Sequence, residues 1–581
     1  MKRRFFVHET ALSSSQGRVK NKSDFQWYNT SVPCRTACPA DTDIPSYLEA
    51  IAQGDFNQAY KINLEDNVFP EILGRVCSRP CEDACRHSKD DNGESVAICF
   101  SKRAAGDFSK TNIKLKNYAK TSGKKIIIIG SGVAGLACAR ELHRFGHHVE
   151  IFEKHRSPGG MLNQGIPIFR LPRKIVDKEI QQILSLGIKI HLNKEINDHK
   201  ELKNLSKKYD AVVLAIGTMS TNEINKDFTA CEHVEDGLDF LLRTNEFGSN
   251  IVGKDVVVIG GGYTSMDCAR TALRLGAKSV RTFYRRTRGD LVILPGELEE
   301  LTKEHGVMKF NARPKKLIKD KGKLSGLQMI KTIISKNGSL NDIKGSEFNI
   351  KTDHIILAIG QNQNLGVLDG VKNNQKKLIE SQHSHNISNN IFAAGDFSLG
   401  ATTLIDAIAH AKKTASVVDK FIMKRDLKTN SIRISEVAST NRKLPMNYIP
   451  LHAMKTLKVS ARKNYKEVEL GYRKKDSTSE ASRCYLCHYK FEIDNSLCVL
   501  CDECLLVKPI ENCIVEINKV TKTADGDIEY EKIEPEKTQG IYHGKLLIDH
   551  KKCVRCGECE KACPTGAISI QKVEKVHHAS T

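Results

Sequence analysis

The chain has no run of about 18 apolar residues, so nothing in it predicts a membrane span. Its start, MKRRFFVHETALSSSQG, lacks an apolar core long enough for a secretory signal, and a cytoplasmic location is expected. No basic patch is interleaved with aromatics, so nucleic acid is not an expected partner. No general acid or nucleophile stands out. The 90 basic and 69 acidic residues leave a net charge of +21. The lysines are spread through segments such as 311–324 and 410–476, which reads as solvated faces or as attraction to an acidic redox partner.

Cysteine is abundant, with 19 in 581 residues. In a reducing compartment clustered cysteines bind metal more often than they form disulfides. All but Cys138, Cys231 and Cys268 fall in close-spaced groups near the two ends; those three read as ordinary buried thiols. The expected architecture is multi-domain. A helical iron–sulfur domain spans 1–110. An α/β core with two Rossmann-type dinucleotide units follows, with an FAD part at 124–250, an NAD(P)H part at 251–352 and a returning FAD part at 353–423. A polar linker covers 424–478, and a small α+β ferredoxin-like domain covers 479–581. The grouping CVLCDEC at 498–504 recurs as CVRCGEC at 553–559, an internal repeat.

The segment KKIIIIGSGVAGLACARELHRFGHHVEIFEK is a buried strand, a glycine turn, a helix and a second strand. Gly130, Gly132 and Gly135 allow the tight turn, the close approach of a pyrophosphate and the packing of helix on strand. Glu153 closes the second strand, where a carboxylate accepts from ribose hydroxyls. In KDVVVIGGGYTSMDCARTALRLGAKSVRTFYRRTR the turn is Gly260, Gly262, Thr264 and Ser265. Its second strand ends in Arg285, Arg286 and Arg288 rather than an acid. Guanidinium groups there suit a 2′-phosphate, favouring NADP(H) over NAD(H); a solvated basic turn is the alternative. DAVVLAIGT and HIILAIGQ look like strands that carry the chain between its halves. IFAAGDFS resembles an FAD-closing segment, with Asp396 placed to bond the ribityl chain. No dithiol accompanies the flavin motif, so thiol–disulfide exchange is not the expected exit for electrons. The terminal cysteine groups are.

From about 30 to 487 the chain resembles the glutamate synthase small-subunit family, NAD(P)H-dependent FAD/iron–sulfur oxidoreductases. The likeness is carried by CRTACPADTDIPSYL, FPEILGRVCSRPCEDAC, VAICFSKRAAGD, SPGGMLNQGIPIFRLPR and YRRTR. It implies that Gly160, Met161 and Leu162 line the FAD, and that Cys38, Cys77 and Cys81 ligate a [4Fe–4S] cluster with Cys99 near the place of its fourth ligand. It also implies that Cys34 and Cys85 share a cluster. The family's front C-x-x-C, expected upstream of VPCRTACPA, is absent.

The phrase that leads into that motif in relatives stands instead at the far end, as SEASRCYLC. The expectation is that Cys484 and Cys487 fold back to complete the site of Cys34 and Cys85; the alternative is a degenerate N-terminal site. The last hundred residues resemble a two-cluster ferredoxin, a structural zinc site being the alternative. The resemblance pairs Cys498, Cys501 and Cys504 with Cys563, and Cys553, Cys556 and Cys559 with Cys513. Four cubanes in all are implied.

The chain thus reads as the electron-transfer subunit of a larger redox enzyme. Hydride passes between nicotinamide and FAD, and clusters trade single electrons with a partner redox subunit or an acidic ferredoxin. The other readings are a true glutamate synthase small subunit, against which the extra ferredoxin module argues, a flavin-based bifurcating subunit, and a non-catalytic iron–sulfur scaffold.

Overall fold

The computed structural model describes residues 3–5, 26–89, 93–110, 113–247, 251–294, 296–368, 385–440, 442, 449–522, 528–532 and 544–578. The chain divides into two compact units. One is Ala119–Arg425 with Lys455–Leu470; the other gathers Met1–Tyr118, Asp426–Met454 and Gly471–Thr581.

The first unit is built around two largely parallel sheets, beside a four-stranded antiparallel sheet of Ala312–Asp320, Lys323–Ile334, Leu340–Asp342 and Phe348–Lys351. Isoleucine-rich Lys125–Ile129 is buried on both faces, as a central parallel strand must be. It pairs in parallel with His148–Phe152 on one side and Ala211–Leu214 on the other. Lys189–His191 and Ile391–Ala393 extend the parallel array. After Ala211–Leu214 the chain leaves to build a second, all-parallel sheet, in the order Val307–Lys309, Ser279–Phe283, Asp255–Ile259, His354–Leu357, Val234–Asp236. Ser220–Thr221 and Gln361–Asn362, just past the two crossing strands, pair antiparallel. One dinucleotide unit is thus inserted in the other, as the repeated motif predicts.

The sheet registers differ from the expected boundaries. Val234–Asp236 and His354–Leu357 both belong to the second sheet, so the NAD(P)H domain reaches beyond 251–352 on each side. The boundary at residue 250 itself lies outside the described residues. The short polar strand VED carries no hydrophobic run, and the buried run HIIL suits either sheet, so pattern alone assigns neither.

Part of the expected linker packs here. Within Lys455–Leu470, Val468 N–H donates to Phe169 O (2.9 Å), and Arg462 pairs with Glu304 (2.9 Å). Glu304 also takes Arg270 (2.9 Å) and Arg274 (2.7 Å). Burial alone would raise its carboxyl, but the guanidinium groups bring it down from 4.5 to about 2. A depressed carboxylate stabilises the fold fully above its unfolded value, and that stability is lost as pH falls through the folded one. Glu304→Gln is therefore expected to destabilise this unit by about 3 kcal/mol at neutral pH, since Arg274 loses its carboxylate while Arg270 and Arg462 keep Glu297 and Glu300. In acid-denaturation curves the gap from the native chain should close as pH falls from 4.5 towards 2.

The second unit begins with short helices, among them Ile44–Ala52, Phe56–Asn67, Pro70–Val76 and Ile98–Phe108. The proline at the first turn of each of Ile44–Ala52 and Pro70–Val76 costs no hydrogen bond there. The C-terminal residues do not stand apart. Strands Asn430–Glu436, Ile568–His577 and Tyr489–Ile493 form one antiparallel sheet. Trp27, Tyr28 and Val32 share a core with Ile432, Tyr485, Val554 and Val573. The region expected as linker, 424–478, thus supplies a strand here and a helix, Lys474–Ala481. Among the described residues no helix is long and apolar enough to cross a membrane.

Candidate functional site

In the flavoprotein unit the first glycine turn leaves a bare patch of backbone. Gly130 has φ +100°, and a Cβ on Gly135 would lie 1.9 Å from Gly130 O, so helix Val133–Arg144 packs on its strand only without that carbon. Gly132 is different. A Cβ there meets nothing closer than Gly160 Cα at 4.0 Å. Gly160 has φ +50° and caps the short helix Met161–Gln164, which carries Met161 and buried Leu162 beside the turn. The floor between Gly132 and Gly160 is the surface a pyrophosphate needs. Glu153 is buried and holds the turn: Oε2 accepts from Ser131 N–H (2.8 Å) and Oγ (2.6 Å), and Oε1 from His155 N–H (2.9 Å). Each oxygen keeps further acceptor capacity for a ribose hydroxyl. A Cβ on Gly395 would meet Ala134 Cβ at 2.4 Å. That approach sets Asp396 against the same helix, with Oδ1 accepting from Thr402 Oγ1 (2.5 Å).

The second turn repeats the design with one change. A Cβ on Gly260 would lie 2.1 Å from Ala358 O, whereas one on Gly262 meets only Val292 Cγ2 at 3.9 Å. Ser265 stands where the first unit has its third glycine, and its hydroxyl donates to Gly260 O (3.0 Å), bracing the turn. Thr264 is half-buried at the start of helix Tyr263–Arg274. Arg285 and Arg286 follow Ser279–Phe283, the strand next to Asp255–Ile259 from which the turn springs. Arg288 is paired with Glu299 (3.0 Å). Neither Arg285 nor Arg286 forms an ion pair among the described residues. Arg285 is exposed and Arg286 half-exposed, so two guanidinium groups remain for an anion beside the turn.

The iron–sulfur unit brings the sixteen clustered cysteines into four groups. Burial pushes the Cys34 thiol up, and Cys487, Cys484 and Cys85 around it push it further. Cys38, Cys77, Cys81 and Cys99 surround Lys102. Burial alone would lower that ammonium, but the four sulfurs hold it above its ordinary value. Cys559 lies with Cys553, Cys556 and Cys513 and also near Cys504, which lies with Cys498, Cys501 and Cys563. Cys484 and Cys487 thus lie near Cys34 and Cys85, as the fold-back requires.

The local backbone suits bound metal. Leu486, Leu500 and Arg555, each just before the second cysteine of a C-x-x-C, have φ of +51°, +51° and +57°. This left-handed turn curls an amide towards the first sulfur: Leu486 N–H is 3.4 Å from Cys484 Sγ, and Arg555 N–H is 3.4 Å from Cys553 Sγ. Arg79, at φ +61°, does the same for Cys77 (3.5 Å). Amides aimed at sulfur favour the thiolate, the form that binds metal. Burial pushes the Cys34, Cys484 and Cys559 thiols up, and neighbouring sulfurs push them further, a poor arrangement without a cation between them. The donor type, thiolate, suits [4Fe–4S] clusters, although among the described residues no three of these side chains converge on a single metal ion.

The fold-back of SEASRCYLC has named anchors. Glu480 Oε1 accepts from Ala97 N–H (2.8 Å), and Arg483 donates to Ser95 O (3.1 Å) and Glu94 O (2.6 Å) while pairing with Glu480 (2.7 Å). Tyr489 Oη donates to Glu49 (2.5 Å), and Trp27 Nε1 to His550 Nδ1 (2.9 Å). Spacing flagged none of these, nor Lys102, nor Tyr47, whose buried hydroxyl lies among Cys81, Cys99, Cys34 and Cys38. The lysine could have been noticed, since it stands one helical turn from Cys99. Cys138 and Cys268 are buried and Cys231 half-buried, apart from every group.

Residues 124–415, half of the chain, match the pyridine nucleotide-disulphide oxidoreductase family model. The chain belongs to that family. Its N-terminal residues 7–113 match the dihydropyrimidine dehydrogenase domain II, 4Fe-4S cluster model, and 546–569 match the 4Fe-4S binding domain. As a member of this family it takes FAD and NAD(P)H, and the two further matches assign [4Fe–4S] clusters to both ends. The chain is 31% identical over 506 residues to the NADP(+)-dependent formate dehydrogenase subunit beta of Moorella thermoacetica, covering 79% of this chain and 71% of that one. It is 29% identical to the NADPH-Fe(3+) oxidoreductase subunit beta of Geobacter sulfurreducens, covering 79% and 75%. To the glutamate synthase [NADPH] small chain of Escherichia coli it is 32% identical, covering 69% and 91%. The resemblance drawn from the motifs therefore holds.

Proposed function

We propose that this pyridine nucleotide-disulphide oxidoreductase family member is the NADPH-handling electron-transfer subunit of a larger redox assembly. The observation that carries the reading is the coexistence, in one chain, of two bare glycine turns and four thiol groups, with no dithiol at the flavin site. Flavin supplies the change between two-electron and one-electron chemistry, and the clusters supply one-electron steps. The chain's own residues hold and insulate these groups. The Gly132–Gly160 floor and Glu153 seat one dinucleotide; Gly262, Arg285 and Arg286 seat the other. Cys34, Cys85, Cys484 and Cys487 hold one cluster, and Cys38, Cys77, Cys81 and Cys99 a second. Cys513, Cys553, Cys556 and Cys559 hold a third, and Cys498, Cys501, Cys504 and Cys563 a fourth. Relatives named as beta subunits support a partner subunit here too.

Anaerobic titration of the bound flavin tests the reading, with NADPH bleaching it more efficiently than NADH. Arg285→Gln with Arg286→Gln should cut the preference by about tenfold per guanidinium, the worth of one charged hydrogen bond. A native chain that prefers NADH, or one that purifies without flavin, sinks the reading.

A further inference from the structure

The fourth thiol group lies at a surface unlike the rest of the molecule. Fourteen large apolar side chains are exposed among the described residues, and four of these fall within eleven positions: Leu497 (51%), Val499 (64%), Leu506 (76%) and Val507 (38%). They flank a recess lined by Cys498, Cys501, Cys504 and Cys563, together with Ile493 and Leu546. Cys501 itself is exposed, the only one of the sixteen clustered cysteines that is. Scattered exposed apolar residues are normal, but a cluster of them around a functional group marks an interaction surface.

The segment that carries the exposed apolar residues has the opposite sign to the chain. Against a net charge of +21, residues 494–512 hold four acids and one base. Asp502, Glu503 and Glu511 are exposed, and none forms an ion pair among the described residues. Lys508, the one base, donates its ammonium to Ile514 O (3.3 Å). Half-buried Asp494 accepts from Ser496 N–H (2.9 Å). A two-fold contact with a second copy would set acid against acid, and an anionic lipid surface would be repelled.

We propose that this apolar, acid-rimmed face docks a one-electron carrier protein whose own cofactor edge is ringed by basic side chains. The inference rests on the proposed function and specifies its partner. It also reverses the expectation drawn from overall charge, because only charges within about a Debye length, roughly 8–10 Å, bear on a docked complex. The exchange served here is one electron at a time: NADPH is the ultimate donor, the partner's oxidised cofactor is the acceptor, and no bond or proton changes hands at the face.

The test uses the oxidised full-length holoprotein under anaerobic conditions, with two probes of opposite charge: cytochrome c, whose haem edge is ringed by lysines, and an acidic plant-type ferredoxin. Calorimetry should find that cytochrome c binds and that salt weakens it. Asp502→Lys with Glu503→Lys should weaken it at least tenfold, and Leu506→Ser by about tenfold. The ferredoxin should bind the native chain less tightly than cytochrome c does, and the double variant more tightly than the native chain. Iron content is read on every variant. Should the double variant lose iron, Glu511→Lys, outside the cysteine motifs, carries the same test. Affinity for cytochrome c that stays within twofold in the charge and Leu506 variants overturns the proposal. So does tighter binding of ferredoxin by the native chain, or self-association in sedimentation that Leu506→Ser abolishes. Flavin bleaching by NADPH is recorded separately, so a failed docking face is distinguished from a failed electron-transfer reading.

Discussion

Replacing Cys484 and Cys487 by serine is expected to lower iron from about sixteen to about twelve atoms per chain, one cubane's worth. The two sulfurs sit with Cys34 and Cys85, more than 390 positions away in sequence. The consequence is mechanical as well as spectroscopic. Metal binding to a site drawn from both ends of the chain contributes its free energy to folding. Without it the N-terminal helices keep only anchors such as Glu480–Ala97 and Trp27–His550. The unfolding midpoint of this unit should fall by at least about 5 °C, the shift that roughly 2 kcal/mol produces in a unit of this size. Cys138→Ser, at a buried thiol apart from every group, should leave iron unchanged. Full iron in the double variant would mean that the fold-back brings the thiols together for some purpose other than a cluster.

A second pair of substitutions separates the two dinucleotide sites. Gly132→Ala should fold normally and purify with little or no flavin. Its added methyl meets no protein atom within 3.9 Å, and its backbone lies at φ −69°, which alanine adopts without strain. The only thing it can obstruct is a bound dinucleotide. Gly262→Ala, with φ −102° and a nearest neighbour at 3.9 Å, should keep its flavin while NADPH no longer bleaches it. Absorbance at the flavin band and the unfolding midpoint are the two readouts. Loss of folding in either variant, or retention of both ligands, contradicts the placement. Gly135→Ala is the contrasting case, because its Cβ collides with Gly130 O at 1.9 Å and the strand–helix unit itself must give way.

Much of the flavoprotein unit was legible in one dimension, since a strand, a glycine turn and a helix are local events. Four consecutive isoleucines read as a buried strand, three glycines at fixed spacing read as a turn under a phosphate, and the repeat of that unit announced an insertion. What pattern could not assign was the edge of the second sheet. VED is too short and too polar, and HIIL fits either sheet. The polar stretch 424–478 read as linker because its strand and helix carry no strong periodicity; each is held by partners distant in sequence, Ile568–His577 for the one and residues 94–97 for the other.

The cysteines divide the same way. Their number, their spacing and the displaced SEASRCYLC phrase are properties of the sequence, and they carried the expectation of four groups. Tertiary structure alone decided that the two ends form one unit with a shared core around Trp27 and Tyr485. It alone placed Lys102 and Tyr47 among the sulfurs, and left Cys501 exposed within an apolar, acidic segment. The physical reason is range. Turn chemistry and ligand spacing act within a few residues and are written locally. Burial, buried charge and surface potential are sums over atoms that only folding brings within reach of one another.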